Sequence, residues 1–209
     1  METLVRLGRV EGVDRFLEEL SWHDAGIDLD LTDLEEEEYR ELREKLGESP
    51  VPVRSLHYGR TSNVSLQEWE LFESQLELVT ERAEKFGCSV VSVAPPKAEI
   101  GESHTLRDLQ EFMENADSYA EESDLELCFL LDDFLCNPET MNTAFQEIQG
   151  ASLGVMVDVT RTVDGFDPVD LLEKLDVEVR KLYLPVPVSE VGEHLGEVEG
   201  EVMVVADTV

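Results

Sequence analysis

The chain has 209 residues, 42% of them hydrophobic, and carries 49 acidic against 16 basic side chains for a net charge of −33. That balance disfavours nucleic acid as a partner, because phosphate binding needs a basic footprint. The acids are spread along the whole chain rather than gathered in a tail, which argues for a folded domain and against disorder.

In chain order, a short β-branched run alternates with an amphipathic segment. The first strands are read at "TLVRLG" (3–8), "IDLDL" (27–31) and "PVRSLHY" (52–58). The run Glu35–Glu38 marks a solvated helix face. Ser65 followed by Glu68 fits a capping box at the start of a helix. Phe72, Leu76, Val79, Ala83 and Phe86 recur every three or four residues on that helix, and Gly87 suits a left-handed C-cap. "CSVVSVA" (88–94) is the fourth strand. A second apolar stripe follows at Leu106, Leu109, Met113, Ala116 and Ala120, and "LELCFLL" (125–131) is the fifth strand. Asn137-Pro138 and Asp167-Pro168 each read as an N-cap followed by proline at the first helical position, and Gly150 as a further C-cap. The last strands are "SLGVMVDV" (152–159), "VRKLYLPV" (179–186) and "EVMVVAD" (201–207), with a glycine-interrupted helix near 189–197.

Several of these strands are continuously apolar, as parallel strands covered on both faces must be. Strand–helix alternation leaves a closed barrel or a doubly wound sheet, and the count of eight favours the barrel. "RLGRVEG" lacks the dinucleotide-binding glycine spacing and no Walker sequence occurs. The expectation is an α/β chain, a compact (β/α)8 TIM barrel with short loops, spanning 1–209 as a single domain.

The remaining composition bears on setting. Cys88, Cys128 and Cys136 form no CxxC pair and read as small core residues in a reducing interior. No apolar run approaches the roughly 20 residues that cross a membrane, and "METLVRLGRVEG" lacks a signal-peptide core. A cytoplasmic location is expected, without membrane contact. The dispersed acid reads as a halophilic adaptation, since the Debye length falls to about 3 Å at 1 M salt; a basic partner is the alternative.

The strand order resembles the xylose-isomerase-like TIM barrels, the superfamily of sugar-phosphate isomerases, epimerases and apurinic-site endonucleases. "AGIDLDL" is similar to that family's second strand and "VRSLHYG" to its third, which ends on histidine. "RAEKFGCSVVSVAPP", "LELCFLLDD", "GVMVDVTR" and "KLYLPV" resemble the fourth to seventh. The resemblance implies a divalent metal at the C-terminal mouth, held by acids of strands five, six and eight and a histidine of strand seven. Carried over, Asp158 matches the strand-six acid and His57 the strand-three histidine. Leu131 and Tyr183 fall at the strand-five and -seven ligands, Ala206 or Asp207 at the strand-eight one, and Ala94 at a strand-four histidine. No resident metal or other cofactor is therefore expected. The alternative set is Asp132, Asp158 and Asp207 around Mg²⁺ or Mn²⁺, with Asp132 and Asp207 each one residue past the family position.

Asp158 and His57 are the candidate catalytic groups, as general acid or base; an ion pair for Asp158 and a core hydrogen bond for His57 are the structural alternatives. Arg60, Lys97, Arg161 and Tyr183 are candidate ligand contacts, the three cations suiting a phosphate or carboxylate. His23, His104 and His194 read as surface residues. Trp22 and Trp69 read as helix–barrel packing or an oligomer contact. Three functions are implied: a sugar-phosphate isomerase/epimerase-like barrel acting on or binding a small polar ligand; a catalytically inactive barrel serving as a binding or interaction module; and, disfavoured by charge, a nuclease-like relative. Homo-oligomerisation is left open.

Overall fold

The computed structural model describes residues 2–59, 64–96, 105–131, 142, 145, 152–158, 178–191 and 203–208. Eight parallel strands follow one another round a closed barrel: β1 (Glu2–Leu7), β2 (Gly26–Asp30), β3 (Val53–Tyr58), β4 (Val90–Val93), β5 (Glu126–Leu130), β6 (Leu153–Asp158), β7 (Val179–Pro187) and β8 (Met203–Thr208). β8 pairs back onto β1, with Glu2 opposite Met203 and Val5 opposite Ala206, so no edge is left open. Four helices lie between the early strands: α1 (Val13–Leu20), α2 (Glu36–Glu48), α3 (Trp69–Phe86) and α4 (Thr105–Glu122). The expected (β/α)8 barrel is the observed fold, and each expected strand coincides with an observed one apart from its ends.

Alternate residues of each strand face the helices or the barrel axis. The helix-facing set, including Leu29, Leu56, Val91, Phe129, Val155, Leu182 and Val204, is buried in one continuous core with the helix stripes. Phe72, Leu76, Val79 and Ala83 of α3 and Leu109, Met113, Ala116 and Ala120 of α4 supply that stripe, as their spacing requires. Trp69, Phe72, Phe112 and Phe129 stack where α3 and α4 meet the barrel, Phe72 and Phe112 edge-on with centroids 4.7 Å apart.

Gly87 ends α3 at φ 67°, the left-handed conformation its position demands. Two expectations are corrected. Ser65 and Glu68 do hydrogen-bond, but in the turn before α3, whose N-cap is Glu68 itself. The reciprocal contact at a helix start belongs to α2, where the Glu38 carboxylate accepts the Glu35 N–H at 2.9 Å. The acidic run that read only as a solvated face therefore also caps a helix and suits its positive end. Trp22 is 78% exposed and packs no helix onto the barrel, whereas Trp69 does.

The expected N-caps at 137–138 and 167–168, Gly150, Cys136, His104 and His194 lie outside the described residues. Of the expected helix near 189–197, residues 189–191 are described: the 3-10 turn Val188–Glu190 leads into Val191, which is helical. Cys88 and Cys128 are buried thiols, and burial pushes Cys128 up to about 12. Among the described residues no helix is long and apolar enough to cross a membrane.

Candidate functional site

The barrel interior has two unlike halves. On one side Val90, Cys128, Leu130 and Met156 pack with Tyr183 and Met203 in a small apolar cluster. On the other, β1 contributes Arg6, β2 Asp28, β3 Ser55 and His57, β4 Ser92 and β7 Lys181. Asp28, Ser55, Ser92 and Lys181 are each 0% exposed. Purely structural barrel interiors are filled mainly by branched apolar side chains. Charge here needs close compensation, because burying an unpaired ion costs several kcal/mol.

The compensation is a continuous network. The Lys181 ammonium donates to Asp28 Oδ1 at 2.6 Å and to Ser92 Oγ at 2.8 Å. Arg6 reaches Asp28 Oδ2 through Nε at 3.1 Å and Nη2 at 3.0 Å. The Ser55 hydroxyl also donates to Asp28 Oδ1. Ser92 Oγ lies 3.0 Å from His57 Nδ1 and donates to the Leu56 carbonyl at 3.1 Å. The Arg6 guanidinium is stacked over the Tyr183 ring, 4.4 Å from its centroid.

The electrostatics follow from two cations sharing one fully buried carboxylate. Burial alone would raise the Asp28 carboxyl, but the charges of Lys181 and Arg6 outweigh it and hold the group well below the usual carboxylate range. Burial and the nearby Arg6 charge push the His57 imidazole down to about 4, against the opposing pull of Asp30 and Asp28. His57 is consequently neutral at pH 7.

Above this layer the strand ends turn into the C-terminal mouth. The Thr32 N–H donates to Asp30 Oδ1 at 2.9 Å, and the Gly59 N–H donates to Thr32 Oγ1 at 2.8 Å. A Cβ at Gly59 would stand 3.1 Å from Thr32, tighter than an ordinary contact, and 3.7 Å from His57 Nε2, so this backbone lies directly beside the ring. Asp158 ends β6 half-buried, opposite Tyr183 in the strand register.

Of the residues singled out in the sequence, the fold brings His57 and, through Arg6, Tyr183 into the network. Asp158 stands at a strand end on the mouth side. Arg60, Lys97, Arg161 and Asp132 lie outside the described residues, as does the side chain of Asp207, whose backbone belongs to β8. Arg6, Asp28, Ser55, Ser92 and Lys181 went unrecognised. Their signal was present at three positions: Arg6, Asp28 and Ser92 each stand between two apolar strand neighbours that face outward.

Two registers require correction. Leu131 and Ala206 were set at inward ligand positions, but both pack in the helix-facing core with Phe129 and Val204. Their apolar character therefore says nothing about a metal. Asp28 is saturated by two cations and a hydroxyl, Lys181 and Arg6 already carry positive charge into the interior, and no group of three metal-ligating side chains occurs among the described residues. At the opposite end of the barrel a cleft of about 580 Å³ lies against the N-termini of β1–β3, lined by Glu2, His23, Asp24 and Arg54 among others. That end of such barrels is given over to stability, not chemistry.

No protein family's sequence profile and no curated protein matches the chain. Solved structures do. A D-tagatose 3-epimerase-like protein superposes with a TM-score of 0.69 at 14% identity, covering 99% of this chain and 91% of the other. The IolI protein with a bound zinc atom gives 0.71 at 12%, covering 100% and 89%. A sugar phosphate isomerase/epimerase from Parabacteroides distasonis gives 0.70 at 10%, covering 100% and 87%. Closed barrel and chain-long coverage agree: the chain has the (β/α)8 barrel fold that these solved structures share.

Proposed function

We propose that residues 1–209 form one domain that binds a small polar, sugar-like ligand at the C-terminal mouth and shifts a proton on a carbon next to its carbonyl, as an isomerase or epimerase does. The observation carrying this reading is the charged, hydrogen-bonded half of the interior beneath that mouth. Its cations, Arg6 and Lys181, stand beside the carboxylates of Asp28 and Asp30, and Arg6, at its partly exposed edge, suits an electron-rich ligand oxygen. The likeness to sugar epimerases adds support for the ligand class.

In this reading His57 or Asp158 takes the proton from the carbon. The C–H electron pair moves to the adjoining C–C bond, and negative charge develops on the carbonyl oxygen on the side of Arg6. For isomerisation the hydroxyl proton on the first carbon's oxygen passes to the former carbonyl oxygen and the abstracted proton returns to the former carbonyl carbon; for epimerisation the proton returns to the opposite face of the same carbon and the carbonyl re-forms. Arg60, Lys97 and Arg161 are the candidate grips on a phosphate or carboxylate of the ligand, and Tyr183 a further contact. No step is assigned to a metal.

A second reading is favoured by one feature: the network satisfies itself without a ligand, since Arg6, Lys181 and Ser55 already serve Asp28. That would suit a barrel retained for binding alone. Thermal shift in molar KCl against ketoses, aldoses and their phosphates separates ligand binding from none. The proposal expects a saturable rise in melting temperature for at least one sugar class, diminished by Arg161→Ala if the ligand is anionic. A panel without any response would remove both readings.

A further inference from the structure

Hydrogen-bond accounting at Ser92 fixes the proton on its neighbour. A serine hydroxyl has one hydrogen and two lone pairs. Three groups surround Ser92 Oγ: Lys181 Nζ at 2.8 Å, the Leu56 carbonyl at 3.1 Å and His57 Nδ1 at 3.0 Å. An ammonium can only donate and a carbonyl can only accept. Lys181 therefore takes one lone pair and Leu56 the hydroxyl hydrogen. The remaining lone pair must be filled from Nδ1. No other assignment satisfies all three contacts, and these groups are buried, where an unmade bond costs about 1–3 kcal/mol.

We infer that Lys181, acting through Ser92, holds His57 in the Nδ1–H form, leaving the lone pair on Nε2 at the Gly59–Thr32 end of β3. Lys181 and Ser92 are then positioning residues, and Nε2 is the ring atom able to accept a proton. The ring is also kept neutral. The charged groups acting on it are Arg6 from β1, Asp28 and Asp30 from β2, and Lys181 from β7; burial and the Arg6 charge outweigh the two carboxylates. The catalytic meaning of this arrangement rests on the proton-transfer reading above, but the tautomer itself does not.

Long-range nitrogen–proton NMR of the full chain in molar KCl reads the tautomer directly, with the His57 signals assigned by their loss in His57→Gln. The expected result is an Nδ1–H imidazole in about fivefold excess over the other form, the ratio sustained by one net hydrogen bond, and unprotonated from pH 7 to about 5. Ser92→Ala should let both tautomers populate. Lys181→Met should do so too, because Ser92 is then free to donate to Nδ1, while Lys181→Arg should retain part of the bias. A wild-type ring in the Nε2–H form, or an even mixture, overturns the inference. So does a tautomer ratio unchanged in both Ser92→Ala and Lys181→Met. If Lys181→Met does not fold, Ser92→Ala decides. Because no turnover is measured, a locked tautomer in a chain without isomerase activity would reject the function and keep the inference.

Discussion

Replacing Lys181 by methionine removes the ammonium while keeping a side chain of similar length. Asp28 would then be left fully buried with only Arg6 and Ser55 as partners, and Ser92 would lose its donor. Breaking a buried ion pair by deleting one partner costs about 3–5 kcal/mol. Arg6 remains in place, so the lower part of that range applies, about 3–4 kcal/mol. At 2–4 °C per kcal/mol for a chain of this size, the melting temperature should fall by about 6–16 °C. Asp28→Asn alone strands Lys181 and should cost a similar amount. The double variant removes both charges, so its cost should fall short of the sum of the single costs by about 2 kcal/mol or more. Denaturant and thermal unfolding in molar KCl measure all three. A Lys181→Met chain within about 2 °C of the parent, or strictly additive costs, would refute the buried pair and with it the charged interior on which the site is built.

The acid limb of stability should reflect His57. Its folded value of about 4 lies below the ordinary 6.5, so the unfolded chain takes the proton first as pH falls. Stability is then full above pH 6.5 and declines towards pH 4 by up to about 3 kcal/mol, a decline His57→Gln should abolish; Asp28, held low, adds its own loss only as pH falls through and below the ordinary carboxylate range. With a net charge of −33, the melting temperature should rise from low salt to molar KCl; a flat response would contradict salt adaptation and make a basic partner the better account of the acid. Calorimetric titration of Mn²⁺ in molar KCl should find only weak, diffuse binding; a stoichiometric site that survives the salt and disappears in Asp158→Ala would establish the alternative set of Asp132, Asp158 and Asp207.

The barrel was legible because each strand announces itself locally. "CSVVSVA" and "LELCFLL" are short apolar runs, and the three-to-four spacing of Phe72, Leu76, Val79 and Ala83 fixes the helix between β3 and β4. Closure followed from the count of eight. The site was legible only at strand ends, where His57 and Asp158 stand out as polar residues finishing apolar runs. The charges inside the strands were not read, although Val5-Arg6-Leu7, Ile27-Asp28-Leu29 and Val91-Ser92-Val93 each set one polar side chain between two outward apolar ones. Which of these meet depends on the stagger of the strands round the barrel, including irregular register between β2 and β3 and between β6 and β7. Asp28 and Lys181 are 153 residues apart and touch only once the barrel has closed. The same stagger explains the error at Leu131 and Ala206: matching a strand by its composition leaves its parity free, and a slip of one residue exchanges the two faces.

Solvent-deuterium exchange tests the central claim most directly. Ketoses, aldoses and their phosphates, incubated with the chain in deuterated molar KCl, are followed by proton NMR at the carbons flanking the carbonyl. The account predicts loss of one carbon-bound proton signal in at least one sugar. The rate should fall at least about a hundredfold when the group acting as base is removed, in His57→Gln or Asp158→Asn. Exchange absent across the panel, or undiminished in both variants, would contradict a proton-transfer site at the mouth of this barrel.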